Sequence, residues 1–354
     1  MTVLPVEGEP DMVVIRTRKR QRRKRKKSHK SRVAKRVVII VAIVVVVIAA
    51  IAGGVAFMIH KGNENLHKPQ VEDVLNTVEY GGHTYEYNEN VVSVLVMGVD
   101  DGTTYSVRPE AMCNDVNLLV TMDTSNSKMS IVAIPRDTLA EVDIYDDGDY
   151  VETKDLQLAC AYSVEAEESV CAENAVKSVS RIFSGLNITQ YFVIEEQALE
   201  DATTAIGGVQ LEALATYPEA EFEVGDTVLL QGEAAFRYVQ YRDKNQAQSA
   251  QDRLERQIQF SKAFLSKVRQ SGASGIVSLY NSTAEYTHTN LTVSDISYLA
   301  SCYINGDNAD VSFVTLTGET QSYEDSDGEV REHIVLDEDS VMQAMLGAFY
   351  TQTD

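Results

Sequence analysis

VVSVLVMGVDDGTTYSVRPEAMCNDVNLLVTMDTSNSKMSIVAIPRDT, residues 91–138, contains three apolar runs with the length and β-branched content of buried strands. The runs are Val91–Met97, Val116–Met122 and Met129–Ile134. Each is bounded by a polar or turn-forming cluster: GVDDG at 98–102, Asn114-Asp115, and PRDT at 135–138. Polar strand ends are where open α/β sheets gather a ligand. Here they would bring together Asp100, Asp115, Arg136 and Asp137, a set suited to a divalent cation bridging a phosphate. The competing account is ordinary aspartate in solvated turns.

Outward from this stretch, the charge divides the chain. Its 354 residues are enough for one large or two average domains, and its net charge is −22. Residues 1–36 hold 14 Lys/Arg and 3 acidic residues, whereas the remainder holds 17 Lys/Arg and 50 Asp/Glu. So acidic a domain excludes nucleic acid as a partner for its general field, and any anion it binds needs a local basic island. The basic tail runs directly into VVIIVAIVVVVIAAIAGGVAFMI, residues 37–59. Without a charge, this segment would span about 34 Å as a helix, which predicts one transmembrane helix. The flanking charge predicts a cytoplasmic tail (1–36) and an extracellular main domain at the cell membrane. Residues 60–90 read as an extracellular polar stalk with a hairpin near Gly81-Gly82, and the globular domain as 91–354.

Beyond residue 138 the pattern predicts a helix over 173–183, a strand over 187–195, a helix over 196–205 and a short strand from Val209. The C-terminal part reads as a helix over 294–304, a strand over 311–317, an acidic loop over 324–332 and a closing helix over 340–350. All four cysteines, Cys113, Cys160, Cys171 and Cys302, fall in the predicted exterior part. The spacing of Cys160 and Cys171 suits a disulfide closing a small loop, the alternative being unpaired buried thiols.

The second informative stretch is LQGEAAFRYVQYRDKNQAQSAQDRLERQIQFSKAFLSKVR, residues 230–269. In this acidic domain it concentrates Arg237, Arg242, Lys244, Arg253 and Arg256. Ser249 to Asp252 has the spacing of a helix-capping box. On that helix Arg253 and Gln257 are i,i+4 neighbours that could face one anion together with the helix N-terminus, Arg256 lying to one side. A solvated amphipathic helix is the alternative. There is no GxSxG, HExxH or P-loop, and the six histidines lie outside both stretches. Base chemistry would fall to an aspartate and charge stabilisation to arginine and a metal, the toolkit of phosphoryl transfer.

The basic tail, the apolar span, VLVMGVDDG, NDVNLLVTMD, IVAIPRDT, Gly207-Gly208 and LLQGEAAFRYVQYRD followed by DRLERQ resemble, in order and spacing, the LytR–CpsA–Psr family. The resemblance covers residues 91–270 well and the C-terminal part loosely. It implies an α/β fold, a three-layer α/β/α sandwich around a mixed central sheet, with a hydrophobic pocket for a lipid tail. It implies a Mg²⁺-dependent membrane phosphotransferase that moves a glycopolymer, such as teichoic acid, from a polyprenyl-pyrophosphate carrier to peptidoglycan. Carried over by motif, Asp100 and Asp115 match the metal-linked carboxylates. Arg136, Arg242, Arg253 and Gln257 match the pyrophosphate-binding set, Arg256 being a lesser candidate. Arg136, Asp115 and Arg253 would carry the reaction. Three positions depart from the family pattern: Cys113 and Gln240 stand where arginines are usual, and Ala250 where an aspartate is. Each lost charge-assisted contact costs roughly 1.5–3 kcal/mol. A second reading is therefore a lipid-binding scaffold with weakened catalysis, and a third a regulator of envelope assembly.

Overall fold

The computed structural model describes residues 55–67, 76–100, 113–164, 166–218, 220–241, 249–306, 311–324 and 330–354. Met58–Asp354 form one compact unit. The tail 1–36 and residues 37–54 of the expected span lie outside the described residues. Among the described residues no helix is long and apolar enough to cross a membrane.

The segment expected as a stalk is part of the fold. In α1 (residues 55–66) Asn65 donates to Asp295 Oδ1 at 3.2 Å, and His67 just beyond it meets Thr124 Oγ1 at 3.1 Å. Strands β1 (Thr77–Tyr80) and β2 (His83–Tyr87) form the expected hairpin. Gly81 and Gly82 have φ of 61° and 84°, the positive pair that a two-residue type I′ turn requires. Val78, Tyr80, Tyr85 and Tyr87 pack against the main core. Their alternate spacing is a half-buried strand pattern hidden among polar residues.

The three apolar runs become β3 (Val91–Asp100), β4 (Cys113–Asp123) and β5 (Lys128–Ile134). A hairpin of β6 (Leu139–Asp146) and β7 (Asp149–Gln157) follows, then a 3₁₀ turn at Leu158–Tyr162 and α2 (Glu168–Ile182). Next come β8 (Gln190–Glu195), α3 (Glu196–Ala205), the small antiparallel pair β9 (Val209–Glu212) and β10 (Thr227–Leu230), and α4 (Glu233–Gln240). Helix α5 (Ser249–Thr283) leaves helical geometry at Gly272. The chain closes with β11 (Thr287–Thr289), α6 (Val293–Asn305), β12 (Val311–Thr315), β13 (Gly318–Glu324), β14 (Val330–Leu336), α7 (Glu338–Phe349) and β15 (Tyr350–Gln352). The expected acidic loop at 324–332 is thus partly strand, because β13 and β14 pair as an antiparallel hairpin.

Six strands form the central sheet in the order β11-β8-β3-β4-β5-β12. It is mixed: β8 runs parallel to β3 and β12 to β5, while the other pairs are antiparallel. Leu95, Met97, Leu119, Val132 and Val193 face the small side chains of α2 and the Met345–Phe349 turn of α7. Met122, Met129 and Ile131 face the other way, onto Tyr303 of α6 and Leu265 of α5. Helices therefore cover both faces, as the alternation along each strand demands.

No Cys160–Cys171 disulfide is present, contrary to the sequence expectation: all four cysteines are thiols. Helix α2 begins five residues earlier than its apolar pattern suggested, so Cys171 sits in its first turn. There its Sγ donates to Val164 O (3.5 Å) and Ala166 O (3.7 Å). Burial raises its pKa, which disfavours the reactive thiolate.

Away from the sheet end, the buried Asp143 ties β6 to α2. Its carboxylate meets Lys177 Nζ, Arg181 Nη2 (2.9 Å) and Thr153 Oγ1 (2.6 Å). Burial opposes its ionisation, but the bonds from Lys177, Thr153 and Arg181 outweigh burial and hold its pKa below the usual carboxylate value. Such a group contributes stability above its unfolded pKa and loses that contribution as pH falls through the lower folded value. Asp143→Asn is expected to lower the unfolding free energy by about 3 kcal/mol at neutral pH. The gap between mutant and parent should narrow below about pH 4. Urea titrations at both pH values check this, and an equal gap at both would contradict it.

Candidate active site

The antiparallel pairing of β3 with β4 and of β4 with β5 brings three polar clusters to one sheet edge. The end of β3 (Asp100), the start of β4 (Cys113–Asp115) and the residues after β5 (Pro135–Thr138) all lie there. The register jumps at this edge: Gly98 pairs with Val116, but Val99 pairs with Asn114. Asp115 is the extra residue of a β-bulge, a device that re-aims a side chain. Gly98 makes the bulge tolerable, since a Cβ there would stand 3.0 Å from Val116 Cβ. Two buried amides brace it. Asn114 Nδ2 donates to Asn117 Oδ1 at 2.6 Å, Asn117 Nδ2 to Asn114 O at 3.0 Å, and Tyr162 N to Asn114 Oδ1 at 3.3 Å.

Asp115 so placed forms an ion pair with Arg136 Nη1. Arg136 Nε lies 3.6 Å from Asp137 Oδ1. The Arg136 backbone is fixed by the 3₁₀ turn, Ala159 N donating to Arg136 O at 2.9 Å. Gln157 Nε2 reaches both Asp137 Oδ1 (3.3 Å) and Glu332 O (2.7 Å), which joins the PRDT turn to β14. Burial raises the Asp137 pKa, Arg136 and Arg253 pull it down, and Glu332 pushes it up, leaving it above the usual value. Arg253, in the first turns of α5, thus acts on the same carboxylate as Arg136 although 117 positions separate them in sequence.

Arg256 and Gln257 have a different task from the one expected. Arg256 is 4% exposed, with Nε donating to Tyr238 O at 3.2 Å and Nη2 to Tyr241 O. Gln257 Nε2 donates to Val239 O at 3.2 Å. These carbonyls belong to the C-terminal turn of α4, which has no intrahelical donors for them. Arg256 and Gln257, expected as anion contacts, here form a cap that fixes α4 against α5. Burial lowers the Arg256 pKa, and Tyr238, Asp252 and Tyr241 counter this. Asp100 stands in β3 with its side chain outside the described residues, and Arg242 and the Ser249 capping contact lie outside them too.

Asp115 and Asp137 supply hard oxygen donors around one guanidinium. Among the described residues no three or more His, Cys, Asp or Glu side chains converge. Mg²⁺ is commonly held by one or two carboxylates together with substrate phosphates, so this donor set fits that ion. Asn114, Asn117, Gln157 and Glu332 were not legible as site residues. Asn114 and Asn117 carry no strand signal, and the other two meet Asp137 only through folding.

The LytR_cpsA_psr family model matches residues 56–343. The chain belongs to that family. Among LytR–CpsA–Psr relatives, the polyisoprenyl-teichoic acid–peptidoglycan teichoic acid transferase TagV of Bacillus subtilis (strain 168) is 24% identical over 238 residues. The match covers 64% of this chain and 56% of TagV, so the chain spans little more than half the length of that relative. The crystal structure of B. subtilis TagV superimposes with a TM-score of 0.56 at 20% identity, covering 73% of this chain and 96% of that one. The structure of TagT bound to LI-WTA gives a TM-score of 0.52 at 19% identity, covering 79% and 98%. At these identities the structural likeness establishes the α/β family fold.

Proposed function

We propose that the protein is a membrane-anchored phosphotransferase that moves a glycopolymer from a polyprenyl-pyrophosphate carrier to peptidoglycan. The observation that carries this reading is the Asp115–Arg136–Asp137 cluster at the sheet edge, with the charge of Arg253 directed at it from α5. Family membership, and the reaction in the TagV name, agree with it.

In this reading Arg136 and Arg253 bind the pyrophosphate and offset the charge that builds on the leaving phosphate as the P–O bond between the two phosphates breaks. Asp115 orients Arg136 through their ion pair. Asp137, with its raised pKa, is the carboxylate suited to take the proton of the attacking hydroxyl. The hydroxyl oxygen bonds to the polymer-linked phosphorus and polyprenyl phosphate leaves. Bound Mg²⁺, held by Asp115 and Asp100, would supply further charge neutralisation at the phosphates. Leu118, Val120, Leu265, Leu299 and Phe313, only partly buried between the sheet and α5–α6, offer apolar surface for the polyprenyl tail.

Lipid extraction tests the carrier half of this reading. Full-length protein purified from membranes is expected to carry a polyprenyl phosphate or pyrophosphate, identified by mass spectrometry and depleted in Arg136→Ala. Protease added to protoplasts should digest the main domain and spare the basic tail. Protein free of isoprenoid, or a protected domain, would contradict it.

A further inference from the structure

A cavity of about 570 Å³ opens on the α4 side of the molecule, and none of the Asp115, Arg136, Asp137 and Arg253 side chains lines it. It lies between α3, α4 and the loop after β9. Tyr217, Phe236 and Tyr241 give it aromatic walls, and Glu200, Glu233 and Gln240 give it hydrogen-bonding groups. The rings are held in place. Tyr217 rests edge-on against Phe222, centroids 5.7 Å apart, and the Arg256 guanidinium lies 5.8 Å from the Tyr241 centroid. Tyr217 and Tyr241 stand 6.4 Å apart at 52°, forming an angled pair of walls.

The chemistry of the lining selects a ligand. Among the described lining residues there are two carboxylates and one guanidinium, Arg237, which Glu233 already engages through Nε (2.8 Å) and Nη2 (2.6 Å). A phosphate would meet net negative charge from these described lining side chains, and Gln240 adds a neutral amide. A lipid tail would leave the carboxylates and the amide without partners. A pyranose ring suits both parts. Its C–H face packs on the negative face of an aromatic ring, and its hydroxyls donate to carboxylate and amide oxygens. The volume is in the range of small-ligand sites and exceeds what an ammonium group would fill.

We propose that this cavity is a saccharide subsite for one or two neutral pyranose rings. It deepens the proposed function, on which it rests only for the sugar's origin in the glycopolymer or the peptidoglycan strand. Gln240 is central to it: this departure from the family's arginine removes a charge that would favour phosphate at the cavity.

Saturation-transfer NMR on the full-length protein in nanodiscs tests the proposal, with N,N′-diacetylchitobiose as probe and glucose 1-phosphate and choline as comparators. The disaccharide is expected to bind in preference to both. Tyr217→Ala and Phe236→Ala should weaken it about tenfold or more with an unchanged circular dichroism spectrum. Gln240→Arg should shift preference towards glucose 1-phosphate, a readout independent of ring truncation. No transfer to the disaccharide, equal binding in both ring variants, or preferred binding of choline would overturn the proposal. Arg136→Ala separates the two claims, since it should bind the disaccharide as the parent does while losing transfer. A parent that binds the sugar but transfers nothing would sink the reaction and leave the subsite standing.

Discussion

Arg136→Ala is expected to lower glycopolymer transfer by about 10²–10³-fold, the scale for removing one preorganised charge stabiliser. The loss should appear in kcat, because the guanidinium meets charge that grows only as the carrier bond breaks. Arg136 is held by Asp115 on one side and Asp137 on the other, so it is aimed before substrate arrives. Arg136→Lys should not restore the rate, because an ammonium cannot span two carboxylates in the guanidinium's planar fork. Stability should change little, as the side chain is 21% exposed and the turn is fixed through backbone bonds. Transfer kinetics beside a urea titration measure both. Parental kcat in the alanine variant would remove Arg136 from the reaction.

Arg256→Ala is expected to act oppositely, by costing the fold about 3 kcal/mol. It would strip the buried Tyr238 carbonyl and the half-buried Tyr241 carbonyl of their donor and leave a void beside both rings. Arg253→Ala, one helical turn away, should instead lose transfer with parental stability. Urea midpoints for the two variants distinguish the roles. A stable Arg256→Ala protein with impaired pyrophosphate binding would return Arg256 to the anion site.

That contrast marks a limit of the sequence. The DRLERQ spacing places Arg253, Arg256 and Gln257 within one turn, but helical periodicity does not say which of them a neighbouring helix will claim. The decision belongs to the exposed carbonyl end of α4, which is a tertiary fact. By contrast β3, β4 and β5 were legible because both faces of the sheet are covered, leaving long apolar runs. The β6–β7 hairpin was missed because Asp149–Asp155 is exposed and charged, giving no alternation to read. The N-terminal hairpin was legible from Gly81-Gly82, but its packing on the core was not, since tyrosines read as polar-neighboured surface. Asp115 could be named as a strand-end carboxylate. Its bulge could not, because a one-residue register slip leaves no mark in composition.

The departures at Cys113, Gln240 and Ala250 bear on whether this chain catalyses or only binds. Cys113 is 2% exposed at the edge of the bulge, so it packs where the family's arginine would carry charge. Gln240 lines the cavity on α4. The Asp115–Arg136 ion pair forms with cysteine and glutamine at these positions, which argues that the reacting centre survives the substitutions.

Transfer itself is the most direct test. Full-length protein in nanodiscs is given a synthetic polyprenyl-pyrophosphate-linked glycan and peptidoglycan fragments with Mg²⁺, and products are read by mass spectrometry. The site described here predicts a phosphodiester-linked conjugate with release of polyprenyl phosphate, abolished by Arg136→Ala and by Arg253→Ala. Donor that binds but yields neither conjugate nor polyprenyl phosphate, even after Cys113→Arg and Gln240→Arg are combined, would contradict it and leave a lipid-binding scaffold.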